Sequence, residues 1–192
     1  STTGINPLRN TFFTGIKKVL AGETIVYNIA NKKITNTKRV FIKPNSNKKF
    51  DPKEFRRIAQ KSIKMASIGR RKIGVFLSGG LDSSLVAYEL KNIMGEANTF
   101  TNRMSPSVIT QNENYNEDAD CAKVLVNKNN FNHTEITITP EIITDYWDDS
   151  IYYMEQPVYN PSLAMYCYTN KILHDNGIVV TMAGDMGDEI LG

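Results

Sequence analysis

The pattern of apolar and polar positions changes character near Asp51. Before it, residues 1–45 carry only short β-type runs, "ETIVYNI" and "KRVFIK", separated by the turn-like "ANKK", and they predict a small hairpin or linker. From Asp51 a helical period takes over. "DPKEFRRIAQKSIKMA" opens with an Asp-Pro N-cap and N1 pair and places Phe55, Ile58, Ala59, Ser62, Ile63 and Ala66 on one face, with a basic, solvated face opposite. Beyond it, strands and helices alternate. "IGVFL" suits a strand buried on both faces, "SSLVAYELKNIM" a helix, and "ANTFT" a second strand. "NEDADCAKVLVNK" predicts a helix, "TEITIT" a strand, and "PEIITDYWDDSIYYM" one further helix opened by Thr139-Pro140. After "EQPVYNPS", a helix from Ser162 to about His174 leads into the strand "IVVTMA". Such alternation predicts an α/β fold, a parallel twisted sheet with helices on both faces. The expected division is a linker or hairpin over 1–48 and a sheet domain over 49–192.

In open sheets of this kind, ligands bind beyond the carboxyl ends of the strands. Two loops occupy such ends and carry chemistry: "SGGLDSS" after "IGVFL", and "GDMGDE" after "IVVTMA". If their strands are neighbours, the loops face one site. Gly79 and Gly80 let the backbone turn sharply and bring its N–H groups to an anion, with Ser78, Ser83 and Ser84 as hydroxyl donors and the following helix N-terminus behind them. No Gly-Lys-Ser/Thr ending follows, so this is not the lysine-bearing phosphate loop of γ-phosphoryl transfer. Asp82 would be repelled by phosphate unless a divalent cation lay between them, and Mg²⁺ suits that place.

Composition narrows the classes. With 23 Lys and Arg against 20 Asp and Glu, the net charge of +3 does not argue for a polyanion, so no nucleic-acid partner is expected, although the first third is visibly the more basic. No apolar run approaches the length of a membrane span and no signal core opens the chain, so a cytoplasmic location without a membrane partner is the expectation. Cys121 and Cys167 fall in apolar helical patterns and read as buried free thiols. Two histidines and distant cysteines do not suggest zinc.

"SGGLDSS" resembles the pyrophosphate-binding loop of the N-type ATP pyrophosphatases (PP-loop, adenine nucleotide alpha hydrolase-like), and "GVFLSGGLDSSLVA" resembles the synthetase domain of the asparagine synthetase family. Four further segments are similar to that family in order: "TFFTGIKKVLAGETIVY", "YNEDADCAKVLVNKNNFNHTEITITPE", "EQPVYNPSLAMYCYTNKI" and "GIVVTMAGDMGDEILG". The resemblance implies that Ser78, Gly79, Gly80, Asp82, Ser83 and Ser84 bind the pyrophosphate part of ATP. It places Leu77, Asn102, Ala183 and Gly184 at adenosine, and Asp82 and Asp188 at magnesium. Asp185 matches the acidic residue near the reacting centre, either general base toward ammonia or substrate ligand.

The implied reaction is attack of an aspartate side-chain carboxylate on the α-phosphorus of ATP, giving β-aspartyl-AMP and pyrophosphate, then displacement of AMP by ammonia. A glutaminase domain or subunit as ammonia source and a homodimer belong to the implied partners. Ala183, Met186, Gln156 and Asn160 depart from the family pattern, where a serine, a small residue, a Glu and an Asp are usual. The alternatives are another family member adenylating a different carboxylate, as in β-lactam formation or peptide cyclisation, and a non-catalytic ATP-binding module. The chain itself is expected to be a fragment or truncated homologue, and a poor catalyst alone.

Overall fold

The computed structural model describes residues 9–41, 49–107 and 115–185. The chain divides into two compact units, one of Ser1–Phe50 with Ile151–Tyr159, the other of Asp51–Ser150 with Asn160–Gly192.

The first unit contains an antiparallel hairpin of β1 (Glu23–Asn28) and β2 (Lys33–Arg39), with Glu23 opposite Arg39 and an irregularity at Val26/Tyr27. The second strand is "KITNTKR", five residues before the expected "KRVFIK". The turn decides this. The Asn28 Oδ1 accepts the Asn31 N–H at 3.1 Å and Lys32 takes φ +53°, so the chain reverses at once and pairing starts at Lys33. Glu23 holds the base of the hairpin: Arg9 donates to it at 2.6 Å and the Leu20 N–H at 2.8 Å. These contacts, the Arg9 guanidinium first, lower its pKa.

In the second unit, α1 (Pro52–Ala66) begins where expected, the Asp51 carboxylate accepting from the Lys53 and Glu54 N–H groups. Its apolar face is shallower than predicted. Phe55, Ala59 and Ile63 are half-buried, whereas Ile58, Ser62 and Ala66 are exposed, because α1 packs chiefly on one neighbouring helix and Ile63 reaches the edge of the core.

The sheet has four parallel strands in the order β5 (Asn132–Ile138), β4 (Asn98–Met104), β3 (Lys72–Phe76), β6 (Ile178–Met182). Alternation along the central strand explains its layers. Ile73, Val75 and Leu77 point into a core shared with α2 (Leu81–Met94) and α3 (Glu117–Asn129), through Ala87, Leu90 and Ala122. Gly74 and Phe76 face the opposite core, built from Phe100, Ile136, Ile138, Ile178 and, on α6 (Ser162–Asp175), Leu173. The sheet is thus covered on both faces, as a continuous apolar run requires.

From β3 the chain steps to β4 and β5 on one side, then returns through α4 (Pro140–Asp145), α5 (Trp147–Met154) and α6 to place β6 on the other. The reversal occurs between β3 and β6, which is the junction where such sheets open a crevice. The stretch expected as one helix from Pro140 to Met154 is two. Tyr146 adopts φ −100°, ψ 8°, ending α4, and its ring packs edge-on against Tyr168 of α6 at 5.4 Å.

Neither cysteine is fully buried: Cys121 is exposed and Cys167 half-buried. The stripe of α3 that meets the core runs through Ala119 and Ala122, so Cys121 falls beside it. Burial, reinforced by Asp149, raises the Cys167 pKa and keeps the thiol protonated.

One buried polar atom lacks a partner among the described residues: Nε2 of His133 on β5, whose Nδ1 lies 3.0 Å from the Thr99 hydroxyl. Burial lowers its pKa against the opposing pull of Glu135. The neutral ring therefore contributes stability that is complete above the unfolded value of about 6.5 and is lost as pH falls below it toward the folded value. Denaturant midpoints measured near pH 7.5 and again at about pH 5.5 should fall further in the native protein than in His133→Gln.

Candidate functional site

The loop from Ser78 to Ser84 turns directly out of β3 into α2, and its shape follows from two glycines with different tasks. Gly79 has φ +84°, and a Cβ there would lie 2.6 Å from the Cys121 Cβ, 2.7 Å from the Ala122 nitrogen and 2.8 Å from the Asp118 carbonyl oxygen. Only glycine allows the loop to press against α3. Gly80 is the N-cap of α2 and supplies no side-chain cap, so the first N–H groups of that helix are not capped by it. The serines brace the loop: Ser83 Oγ accepts the Ser78 N–H at 3.2 Å and lies 3.0 Å from Ser78 Oγ, while Ser78 Oγ accepts the Gly80 N–H at 3.3 Å. The hydroxyls of Ser83 and Ser84 both donate to the Gly80 carbonyl. Two of the three expected hydroxyl donors are therefore already engaged within the loop.

The second loop lies against the first. A Cβ on Gly184 would sit 2.5 Å from the Ser83 nitrogen and 2.7 Å from the Asp82 carbonyl carbon, so the strand adjacency of β3 and β6 is continued by backbone contact between the two loops. Met186 and Asp188 lie outside the described residues.

Between the loops and the ends of β3, β4 and β6 opens a cleft of ≈ 520 Å³. Of the residues named from sequence, Leu77, Ser78, Gly80, Asp82, Ser83, Asn102, Ala183, Gly184 and Asp185 line it. Gly79 and Ser84 do not; they shape the loop from behind. Leu77 reaches the cleft with its N–H bonded to the Phe100 carbonyl at 2.8 Å and its carbonyl accepting from the Thr101 hydroxyl. Asn102 accepts from the buried Thr169 hydroxyl at 2.8 Å, which leaves its amide N–H groups for a ligand.

Sequence reasoning missed the far wall, made by Tyr115 and Asp118 from around the start of α3 and by Ser162, Met165 and Tyr166 from α6. Tyr166 is held edge-on to Phe76 at 5.9 Å. Only tertiary packing brings α6 here, and the one available signal was the "NPS" string at its start: Asn160 Oδ1 accepts the Ser162 N–H at 2.9 Å. Asn160 itself acts as this turn's acceptor. Gln156 lines a separate cavity of ≈ 250 Å³ within the first unit, beside Phe12, Phe13 and Met154.

The charge of the cleft is one-sided. Asp82, Asp118 and Asp185 line it, and no lysine, arginine or histidine does among the described residues. An anion cradle of backbone N–H groups therefore faces three carboxylates, and a polyphosphate could enter only with a cation between them. No group of three His, Cys, Asp or Glu side chains among the described residues could hold a metal by itself. Asp82, on the loop itself, is the carboxylate placed where a divalent cation could be shared with a bound phosphate.

Among solved structures, the chain is similar to the U34-tRNA thiolase NcsA from Methanococcus maripaludis, at 17% identity and a TM-score of 0.50, over 72% of this chain and 48% of that one. It is also similar to the NMN synthetase from Francisella tularensis (16% identity, TM-score 0.47, 69% and 54% covered). A third match is the NH3-dependent NAD synthetase from Campylobacter jejuni (22%, 0.42, 67% and 52%). The chain spans about half the length of each. No curated protein matches the chain. The asparagine synthase family model matches residues 54–192, which takes in both loops and every strand of the parallel sheet, and the chain belongs to that family.

Proposed function

We propose that the chain is an ATP-dependent, amide-forming ligase domain that activates the side-chain carboxylate of aspartate as β-aspartyl-AMP, releases pyrophosphate, and passes the acyl group to ammonia. Family membership supports the coarser statement, an ATP-using domain of adenylating, ligase type. The observation that carries the reading is the glycine-built loop set against three carboxylates, with no basic side chain among the described residues that line the cleft.

In this reading the uncapped N–H groups in the first turn of α2, with the Gly79 N–H of the loop, bind and orient the pyrophosphate as one unit, since the bond broken is the α,β one. Asn102, Ala183 and Gly184 position the nucleoside. Asp82, with Asp188, would hold Mg²⁺, which would supply charge neutralisation for the phosphates. Asp185 binds the amino group of the substrate or accepts a proton from the attacking nitrogen. A glutaminase domain or subunit supplies the ammonia, and the setting is the cytoplasm.

Nucleotide products separated after incubation with Mg-ATP and a panel of amino acids test this. AMP and pyrophosphate in equal amounts, dependent on aspartate and increased by ammonia, are expected. Formation of ADP and phosphate, or AMP with another acid only, overturns the aspartate ligase reading.

A further inference from the structure

The near-neutral total charge conceals a segregation. Between Asp51 and Lys72 lie eight of the chain's 23 Lys and Arg and only two acidic residues. Both acids have local duties: Asp51 caps α1, and Glu54 accepts from Arg57 at 2.7 Å. Lys53, Arg57, Lys61 and Lys64 recur at helical spacing, so they form one stripe along α1, and Arg56 flanks it. Arg70, Arg71 and Lys72 follow the helix end and line a shallow groove of ≈ 200 Å³ at the amino-terminal edge of the sheet, with Glu96 and Asn98 across it. All eight cations are exposed. Except for Arg57, none of them makes an ion pair among the described residues.

We infer that this strip is a docking surface for the phosphate backbone of double-helical nucleic acid. The strip adjoins the amino-terminal edge of the sheet, whereas the cleft opens at the carboxyl edge, so it is not part of the site above. Its length selects the partner. Lys53 to Lys64 alone extends roughly 16 Å along the helix, more than a single small phosphate ligand covers. Insertion into a membrane would need the apolar face of α1, yet Phe55, Ala59 and Ile63 are half-buried and Gln60 on their flank donates to Glu89 of α2 at 3.1 Å. Phe55 is the one aromatic between residues 51 and 72 and does not lie in the stripe, which favours backbone contact over base stacking.

Fluorescence anisotropy of a fluorescein-labelled duplex DNA of about 20 base pairs, titrated with the full chain, tests the inference. Neutralising about four phosphates gives a slope near −4 in log K against log salt, a loss of roughly 100-fold between about 50 and 200 mM. Replacing Lys61→Glu, Lys64→Glu, Arg70→Glu and Arg71→Glu together should weaken binding at low salt at least roughly tenfold and flatten that slope. Those residues are exposed, so an unchanged circular dichroism spectrum is expected. Binding that is absent at low salt, or identical in affinity and slope for the variant, overturns the inference. Binding to anionic vesicles or to polyglutamate in place of the duplex overturns it too, by naming a different partner.

Discussion

Gly79→Ala should unfold the chain at markedly lower denaturant. The substitution meets two independent costs. Its backbone sits at φ +84°, where an L side chain costs about 1–2 kcal/mol. The new Cβ would also lie within 3 Å of the Ala122 nitrogen and the Asp118 carbonyl oxygen, both backbone atoms of α3 that cannot rotate away. Overpacking of that kind adds about 1–3 kcal/mol, for a total of about 2–5 kcal/mol in the denaturant midpoint experiment. Gly95 and Gly177 supply the control. They have φ +83° and +75° with nothing within 4 Å of an added Cβ, so alanine there should cost only the backbone part. If all three variants lose the same stability, the close approach of loop and helix is not what requires glycine at position 79.

Asp82→Ala should leave stability almost unchanged while lowering kcat/KM for ATP by roughly 100-fold or more. Asp82 stands in the first turn of α2, where a carboxylate contributes only about 0.3–1 kcal/mol to the helix. No hydrogen bond or ion pair among the described residues engages its side chain. Its side chain lines the cleft beside the braced loop, where the proposed function needs a carboxylate and the fold does not. The loss should come with a raised requirement for Mg²⁺, and Asp82→Asn, which keeps the shape, should behave like the alanine variant. Full activity of Asp82→Asn at the native Mg²⁺ requirement would remove Asp82 from metal binding.

Much of the second unit was legible because one strand states its own environment. "IGVFL" is apolar at successive positions, which only a strand covered on both faces tolerates, and the structure sorts Ile73, Val75 and Leu77 to one core and Phe76 to the other. The condition attached to the two loops, that their strands be neighbours, is met by β3 and β6. What local pattern does not encode was less readable. Tyr146 breaks a continuous helical period because its ring packs on α6, a contact between residues far apart in sequence. The hairpin was misplaced because β2 has no buried position to mark its register. Tyr166 and Asp118 enter the cleft from helices whose approach is set by packing, so the segments that carry them gave no sign that these two side chains face the site.

In the proposed reaction a carboxylate oxygen of aspartate attacks the α-phosphorus of ATP in the cleft beside Asp82 and Asp185. Incubating the chain with Mg-ATP, ammonia and aspartate labelled with ¹⁸O in its side-chain carboxylate, then weighing the products by mass spectrometry, tests it most directly. One ¹⁸O carried into AMP, with none in pyrophosphate, is the predicted result. Unlabelled AMP, or label appearing in inorganic phosphate beside ADP, would contradict it.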